Sequence, residues 1–348
     1  MDSWYKEYKE NSEEYLQLFN TVMQSKQEKN VEFLERNIAY ATNRNYAVAV
    51  NNGTDALLFA LICSDIKPGD EVLVSNFSWI STASCISMIG AIPVFCDIDV
   101  SSYHMSLDSV KKMYSDKTKA IIYPHLFGNM SDTSRIQEFC QEIPFIEDAC
   151  QALGSSLNNV KAGEAGDIST LSFNANKVVA GIAGGGALLT DDDRVAETAR
   201  KLRRHGNHEM LGYNSKMLFM NAVFINHRLK KIEEYQTKRQ EVAKKYDEHL
   251  KDLVIIQDPN DNLDHNYHKY IIRLQSKETR DRLKVRLGAN IHYDTPISEL
   301  PMYKNIEHRK DDITNTQTVC DTILTLPIDP FLTDEEIENT CNIIMATV

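Results

Sequence analysis

No stretch of this 348-residue chain approaches the ~20 consecutive apolar residues of a membrane-spanning helix, so no span is expected. Cationic charge is also scarce. Lysine and arginine number 38 against 50 aspartates and glutamates, a formal net charge of -12. Such a surface does not attract polyanions, and no nucleic-acid partner is expected. The basic cluster Lys201-Leu202-Arg203-Arg204-His205 reads as a helix end, where cations suit the dipole. The seven cysteines form no C-x-x-C pair, and Cys63, Cys85 and Cys96 fall in apolar segments, as small buried hydrophobes of a reducing compartment do. The N-terminal MDSWYKEYKENSEEY has no apolar signal core, and the expected location is the cytoplasm. GIAGGG has the wrong spacing for a dinucleotide fingerprint and no helix opening behind it. No Gly-Lys-Ser/Thr follows it, which excludes a nucleotide loop, and no G-x-S-x-G elbow occurs. HGNH and HNYH lack cysteine or carboxylate partners at zinc spacing, so no metal is expected.

What is present is alternation. YAVAV, EVLVS, IPVFCDI, AIIYP and PFIEDA are short apolar runs, separated by segments with helical periodicity such as NNGTDALLFALICSDI and ISTASCISMIG. This predicts an α/β fold, a mostly parallel central sheet covered by helices on both faces. Ligands in such folds bind beyond the carboxyl ends of the strands. DISTLSF and GGALLT read as two further strands. A long charged helix is expected over RLKKIEEYQTKRQEVAKKYDEHL. The domain boundary is placed at its start: 1–228 as a large domain with an N-terminal helical arm, 229–348 as a smaller α+β domain.

One lysine, Lys177, lies in the stretch SFNANKVVAGIAGGGALLT between two of these strands. Buried there, its pKa would fall and part of it would be a neutral nucleophile. Asp148 ends the run PFIED, where a carboxylate could face a ring nitrogen. Gly53 and Thr54 open a helix, whose N-terminal amides suit a phosphate. Ser172 could add a hydroxyl, and Trp79 could stack on a ring. These are the requirements of pyridoxal 5'-phosphate. Each residue also has a plainer reading: Thr54 as an N-cap, Trp79 as core, Asp148 as a turn cap, Ser172 as an ordinary strand residue, Lys177 as a surface charge. Composition and spacing leave both readings open.

The order of the motifs goes further. NNGTDALLFAL, KPGDEVLVSNFSWISTAS, PFIEDACQALGS, GDISTLSFNANK, RRHG, GYNSKM, HKYIIRL and IHYDTPISELPMY resemble, from about Val31 to the C-terminus, the DegT/DnrJ/EryC1/StrS sugar aminotransferases. The resemblance implies the fold type I of pyridoxal-phosphate enzymes. It places Lys177 at the lysine that bonds the cofactor, Asp148 at the partner of the pyridine nitrogen and Gln151 beside the ring hydroxyl. Gly53, Thr54 and Ser172 fall on phosphate ligands and Trp79 on the ring stacker. Asn214 falls on an asparagine that reaches the phosphate of the other subunit, which implies a homodimer with shared sites. Lys216, His292 and Tyr293 fall on the substrate side.

The implied reaction moves an amino group from glutamate or glutamine to a keto-sugar linked to a nucleoside diphosphate, for surface polysaccharides such as O-antigen and lipopolysaccharide, or other glycoconjugates. Related dehydratases carry a histidine in place of the lysine, so Lys177 favours transamination. A keto-cyclitol acceptor from an antibiotic pathway and a non-catalytic regulatory protein on the same fold are the rival readings. The intact Lys177 and Asp148 argue against the second. The chain departs from the family at Gly184, where an acid is usual, at Asn174-Ala175 for Tyr-Pro, at Lys216 for an arginine and at Ser298 for a histidine. Its arm is short, without the usual proline, and no glycine precedes VEFLE.

Overall fold

A computed structural model describes residues 3–24, 27–257 and 262–348. Eight strands form the central sheet in the order Tyr46–Val50, Gly186–Thr190, Ile168–Ser172, Phe145–Asp148, Thr118–Pro124, Glu71–Ser75, Ile92–Cys96 and Arg309–Lys310. All neighbours run parallel except Gly186–Thr190, which is antiparallel to both flanking strands. Buried runs such as EVLVS and FIED need apolar cover on both sides. Helices Gly53–Cys63, Ser81–Met88 and Asp193–Leu202 supply it on one face, and Gln27–Ala41 and Phe219–Leu229 on the other. The expected α/β architecture is what the chain adopts.

Tyr46–Val50 is an edge strand, and its free side is satisfied by side chains. The Ala49 amide donates to Glu35 Oε1 at 2.9 Å, and Arg203 Nη1 donates to the Ala49 carbonyl at 2.7 Å. Glu35 and Arg203 also pair with each other. This ion pair blunts the edge and fixes the strand that delivers Gly53.

The long charged helix is not continuous. Phe219–Leu229 is buried over most of its length, and a second helix runs Ile232–Leu250 after Lys230 and Lys231. Ile232–Leu250, Lys277–Leu287 and Asp334–Met345 pack around a three-stranded sheet of Ile255–Ile256, Tyr270–Arg273 and Ile323–Leu326. The C-terminal part also reaches back: Arg309–Lys310 extends the large sheet, and Leu263–Asp264 pairs with Ser156–Leu157. At the other end of the chain, Lys6 pairs with Glu336, tying the helix Ser3–Glu10 to the C-terminal helix.

Candidate active site

The carboxyl ends of the central strands open into a cavity of about 490 Å³. Of the residues singled out in the sequence, Gly53, Thr54, Trp79, Asp148, Gln151, Ser172, Lys177, His292 and Tyr293 all line it. They converge because each sits at or beyond the same end of a sheet strand, or, for His292 and Tyr293, on the segment that follows helix Lys277–Leu287.

Asp148 is the last residue of its strand and is buried. Its Oδ2 accepts from Thr82 Oγ1 at 2.9 Å and its Oδ1 from the Cys150 amide at 3.2 Å. Both bonds fix the direction of its side chain. Lys177 lies on the connection between Ile168–Ser172 and Gly186–Thr190, partly buried against the cavity. Burial lowers its pKa, opposed by Cys150 and Asp148. The same burial pushes the Cys150 thiol well up, so that it stays protonated.

Thr54 is not the N-cap of its helix. Asn52 holds that position and accepts from the Asp55 amide through its side chain at 2.8 Å. Gly53 and Thr54 therefore open the first turn, where helical amides lack intrahelical acceptors. The Thr54 and Ser81 hydroxyls lie 2.8 Å apart beside them. Trp79 is not core: it is 59% exposed at the cavity rim.

Gln151 bridges two parts of the chain. Its Oε1 accepts from the Phe127 amide at 3.0 Å, and its Nε2 donates to Tyr293 OH at 2.9 Å. Burial raises the Tyr293 pKa, so the phenol remains protonated. His292 is held at Thr325 Oγ1, 2.7 Å away, and its pKa is pushed down to about 4 by burial, then by Lys269 and Lys177.

Asn214 and Lys216 do not line the cavity of their own chain. Both are exposed, on a short segment that docks against the sheet edge through bridges Arg204 to Asn214 and Val50 to Lys216. Ser215 between them donates to Asp55 Oδ2 at 2.6 Å and accepts from the Asn51 amide at 3.1 Å. Lining residues that were not anticipated include Ser81, Thr82, Cys150, His268 and Lys269. The string HKYIIRL carried a signal for the last two, because two basic residues stand directly before a buried strand.

The residues present fit pyridoxal 5'-phosphate. A Cβ on Gly53 would stand 2.9 Å from Ser172 Cβ, and one on Gly186 would stand 2.4 Å from the Asn52 carbonyl carbon. The backbone therefore closes tightly around the first turn of the helix, leaving amides and hydroxyls as the donor set an anion needs. Asp148 is an acceptor that is already oriented, and Lys177 is an amine depressed toward its neutral form. Gly184 has open space where a Cβ would go, and it holds φ +77°, a conformation that glycine adopts without strain. An acidic side chain would have room at this position, but a residue other than glycine would be strained by the backbone there.

Comparison with known proteins agrees with this geometry. The DegT/DnrJ/EryC1/StrS aminotransferase family matches residues 8–345, beginning further toward the N-terminus than the motifs suggested. A pleiotropic regulatory protein of Geobacillus stearothermophilus is 31% identical, over 88% of this chain and 86% of that protein. A UDP-N-acetyl-3-dehydro-alpha-D-glucosamine 3-aminotransferase of Acidithiobacillus ferrooxidans is 32% identical, over 90% of this chain and 88% of its own length. Among solved structures, S. venezuelae DesV in complex with a ketimine intermediate superposes with a TM-score of 0.92 at 26% identity, covering 97% of this chain and 95% of that one.

Proposed function

Because this chain belongs to the DegT/DnrJ/EryC1/StrS aminotransferase family, we propose that it transfers an amino group from glutamate or glutamine to a keto-sugar linked to a nucleoside diphosphate. The observation that carries this reading is Lys177, depressed by burial and facing a cavity whose floor holds the oriented Asp148 carboxylate. The relative from Acidithiobacillus ferrooxidans, named for a UDP-linked 3-keto sugar, supports the acceptor class.

Pyridoxal 5'-phosphate, when bound, supplies an aldehyde that can exchange amines and a ring that withdraws electrons from the attached carbon. The first turn of helix Gly53–Cys63, with Thr54, Ser81 and Ser172, would hold the phosphate. The Asp148 carboxylate would accept a hydrogen bond from the ring nitrogen and keep it protonated. Trp79, which lines the cavity, would stack on the ring. When not bonded to the cofactor, the Lys177 amine would act as base and then acid, moving a proton between the two carbons that flank the transferred nitrogen. Burial serves this role, because a fully protonated lysine could not accept the proton.

The reading includes a homodimer with shared sites in the cytoplasm. Asn214 stands exposed beside Leu211, 94% exposed, and Leu218, 61% exposed, a combination that suits a face covered by a second copy. Among the described residues, no helix is long and apolar enough to cross a membrane. The role in surface polysaccharide synthesis follows from the acceptor class alone.

The test is a coupled assay. The purified protein, pyridoxal 5'-phosphate, glutamate or glutamine and a UDP-linked 3-keto sugar should yield an amino sugar and the matching oxo acid in equal amounts. Formation of the oxo acid with keto-cyclitols only would replace the acceptor class.

A further inference from the structure

A second cavity, of about 310 Å³, adjoins the first, and Asn176, Lys177, His268 and Lys269 line both. Its size is at the lower end of small-molecule sites, ~300–1,000 Å³. Its wall is unusually cationic for a chain of net charge -12. Arg228, Arg239 and Lys269 face it, against the carboxylates Glu7 and Asp329.

The pairing within this wall is incomplete. Glu7 is buried and spoken for: it accepts from Arg228 Nε at 3.0 Å, Tyr235 OH at 2.9 Å and Tyr15 OH. Asp329 Oδ1 accepts from the Phe331 amide at 2.8 Å. Arg239 is buried, gives its Nη1 to the carbonyls of Tyr267 and Ile328, and has no partner at Nε. Lys269 Nζ has no hydrogen bond or ion pair among the described residues. His268, buried to 5% exposure, has no partner at Nδ1. Cations desolvated in this way are costly unless an anion meets them. The recess already shows the chemistry it accepts, since Glu7 places one carboxylate in it and leaves the Lys269 side open.

We infer that the second cavity is a carboxylate-binding site in which Lys269, backed by Arg239, receives a carboxylate of a substrate whose reacting end stands at Lys177. The inference rests on the aminotransferase reading for the identity of that substrate. A carboxylate could come from the amino-acid donor or from a carboxylated keto-sugar. The lowered pKa of Lys269, about 8, still leaves the ammonium form dominant at neutral pH.

The direct experiment uses the protein without cofactor, titrated calorimetrically with glutarate and with the neutral diamide glutaramide. Wild-type protein should bind glutarate at least tenfold more tightly than the diamide. Lys269→Met, which keeps the stem and removes the charge, should weaken glutarate at least tenfold, and Lys269→Arg should restore it to within a few-fold. Equal binding of glutarate and glutaramide by wild type, or equal glutarate binding by wild type and Lys269→Met, overturns the site. If a variant does not fold, wild-type protein with inorganic phosphate filling the first-cavity cradle decides the matter: glutarate binding that persists supports the second cavity, and glutarate binding that phosphate abolishes overturns it.

The source is then read in the cofactor-loaded protein. A rise in KM for glutamate but not glutamine in Lys269→Met assigns the donor side chain, and an equal rise for both assigns the α-carboxylate. A rise only for a keto-uronate acceptor assigns the acceptor. No rise for any of the three overturns the substrate role. Absence of a visible absorption band after adding cofactor would instead sink the aminotransferase reading while leaving the calorimetry interpretable.

Discussion

Thr82 Oγ1 donates to Asp148 Oδ2 across 2.9 Å, joining the helix Ser81–Met88 to the end of the strand Phe145–Asp148. The bond is buried, and it orients the carboxylate on the cavity floor. Thr82→Val keeps the shape and removes the donor. A hydrogen bond to a charged group is worth about 1.5–3 kcal/mol, so cofactor affinity should fall by about tenfold or more. Thr82→Ser should recover most of it. Titration of pyridoxal 5'-phosphate by its absorbance reads the result, and unchanged affinity in Thr82→Val would remove Thr82 from the account.

Gly186 and Gly184 should respond in opposite ways. A Cβ at Gly186 meets the Asn52 carbonyl carbon at 2.4 Å, while one at Gly184 meets nothing within 4 Å. Gly186→Ala must push back the corner that carries Gly53 and Thr54, an overpacking cost of about 1–3 kcal/mol. Its cofactor affinity should drop along with its stability. Gly184→Ala carries only the cost of a positive φ, about 1–2 kcal/mol, and should bind cofactor as wild type does. Equal cofactor affinity in the two variants would contradict the cradle drawn from Asn52.

The N-terminal arm is predicted to be structural. Glu7 is 1% exposed and holds Arg228, Tyr235 and Tyr15 together. Glu7→Ala takes the carboxylate away from a buried guanidinium, a change that typically costs about 3–5 kcal/mol. Urea denaturation should show that loss. A stability within error of wild type would mean that the arm is not docked in solution.

Carboxylate binding in the second cavity should depend on pH with a defined sign. Lys269 is pushed down to about 8 by burial, with Arg239 and Lys177 acting in the same direction. The other groups around it are Arg228, His268, Tyr235, Glu7 and Asp329 at the recess, and His292 on the first cavity. Burial holds His268 and His292 below their ordinary pKa, so they stay neutral near pH 8. The ligand needs the ammonium form, so affinity is full below about 8 and is lost as pH rises through it, by about tenfold per unit beyond. Glutarate affinity that is flat from pH 7 to pH 10 would contradict this.

Legibility in the sequence followed chain locality. Lys177 could be found because it is a single charged group in an apolar run, and Asp148 because it ends a strand-like run. Asn52, Gly53 and Thr54 could be found as a turn opening a helix, although the sequence does not say which of them caps it. Thr82 could not be found: its partner lies 66 residues away, and a threonine in a buried helix has no distinguishing neighbours. Arg239 sits in a charged helix, where it looks like any solvated residue. Only packing against Tyr267 and Ile328 shows it to be buried. The break after Leu229 was hidden because the lysines that follow are good helix formers. The docking of the arm leaves no mark in the sequence for the same kind of reason, since Glu7 is one buried glutamate among many charges.

The central claim is that Lys177 is the covalent anchor of the cofactor. The most direct measurement loads the protein with pyridoxal 5'-phosphate, reduces it with borohydride and maps the phosphopyridoxyl group by peptide mass spectrometry. The account predicts the added mass on the peptide containing Lys177, with the visible band gone in Lys177→Ala. Label on Lys269 or another lysine in place of Lys177, or an unchanged band in Lys177→Ala, would contradict it.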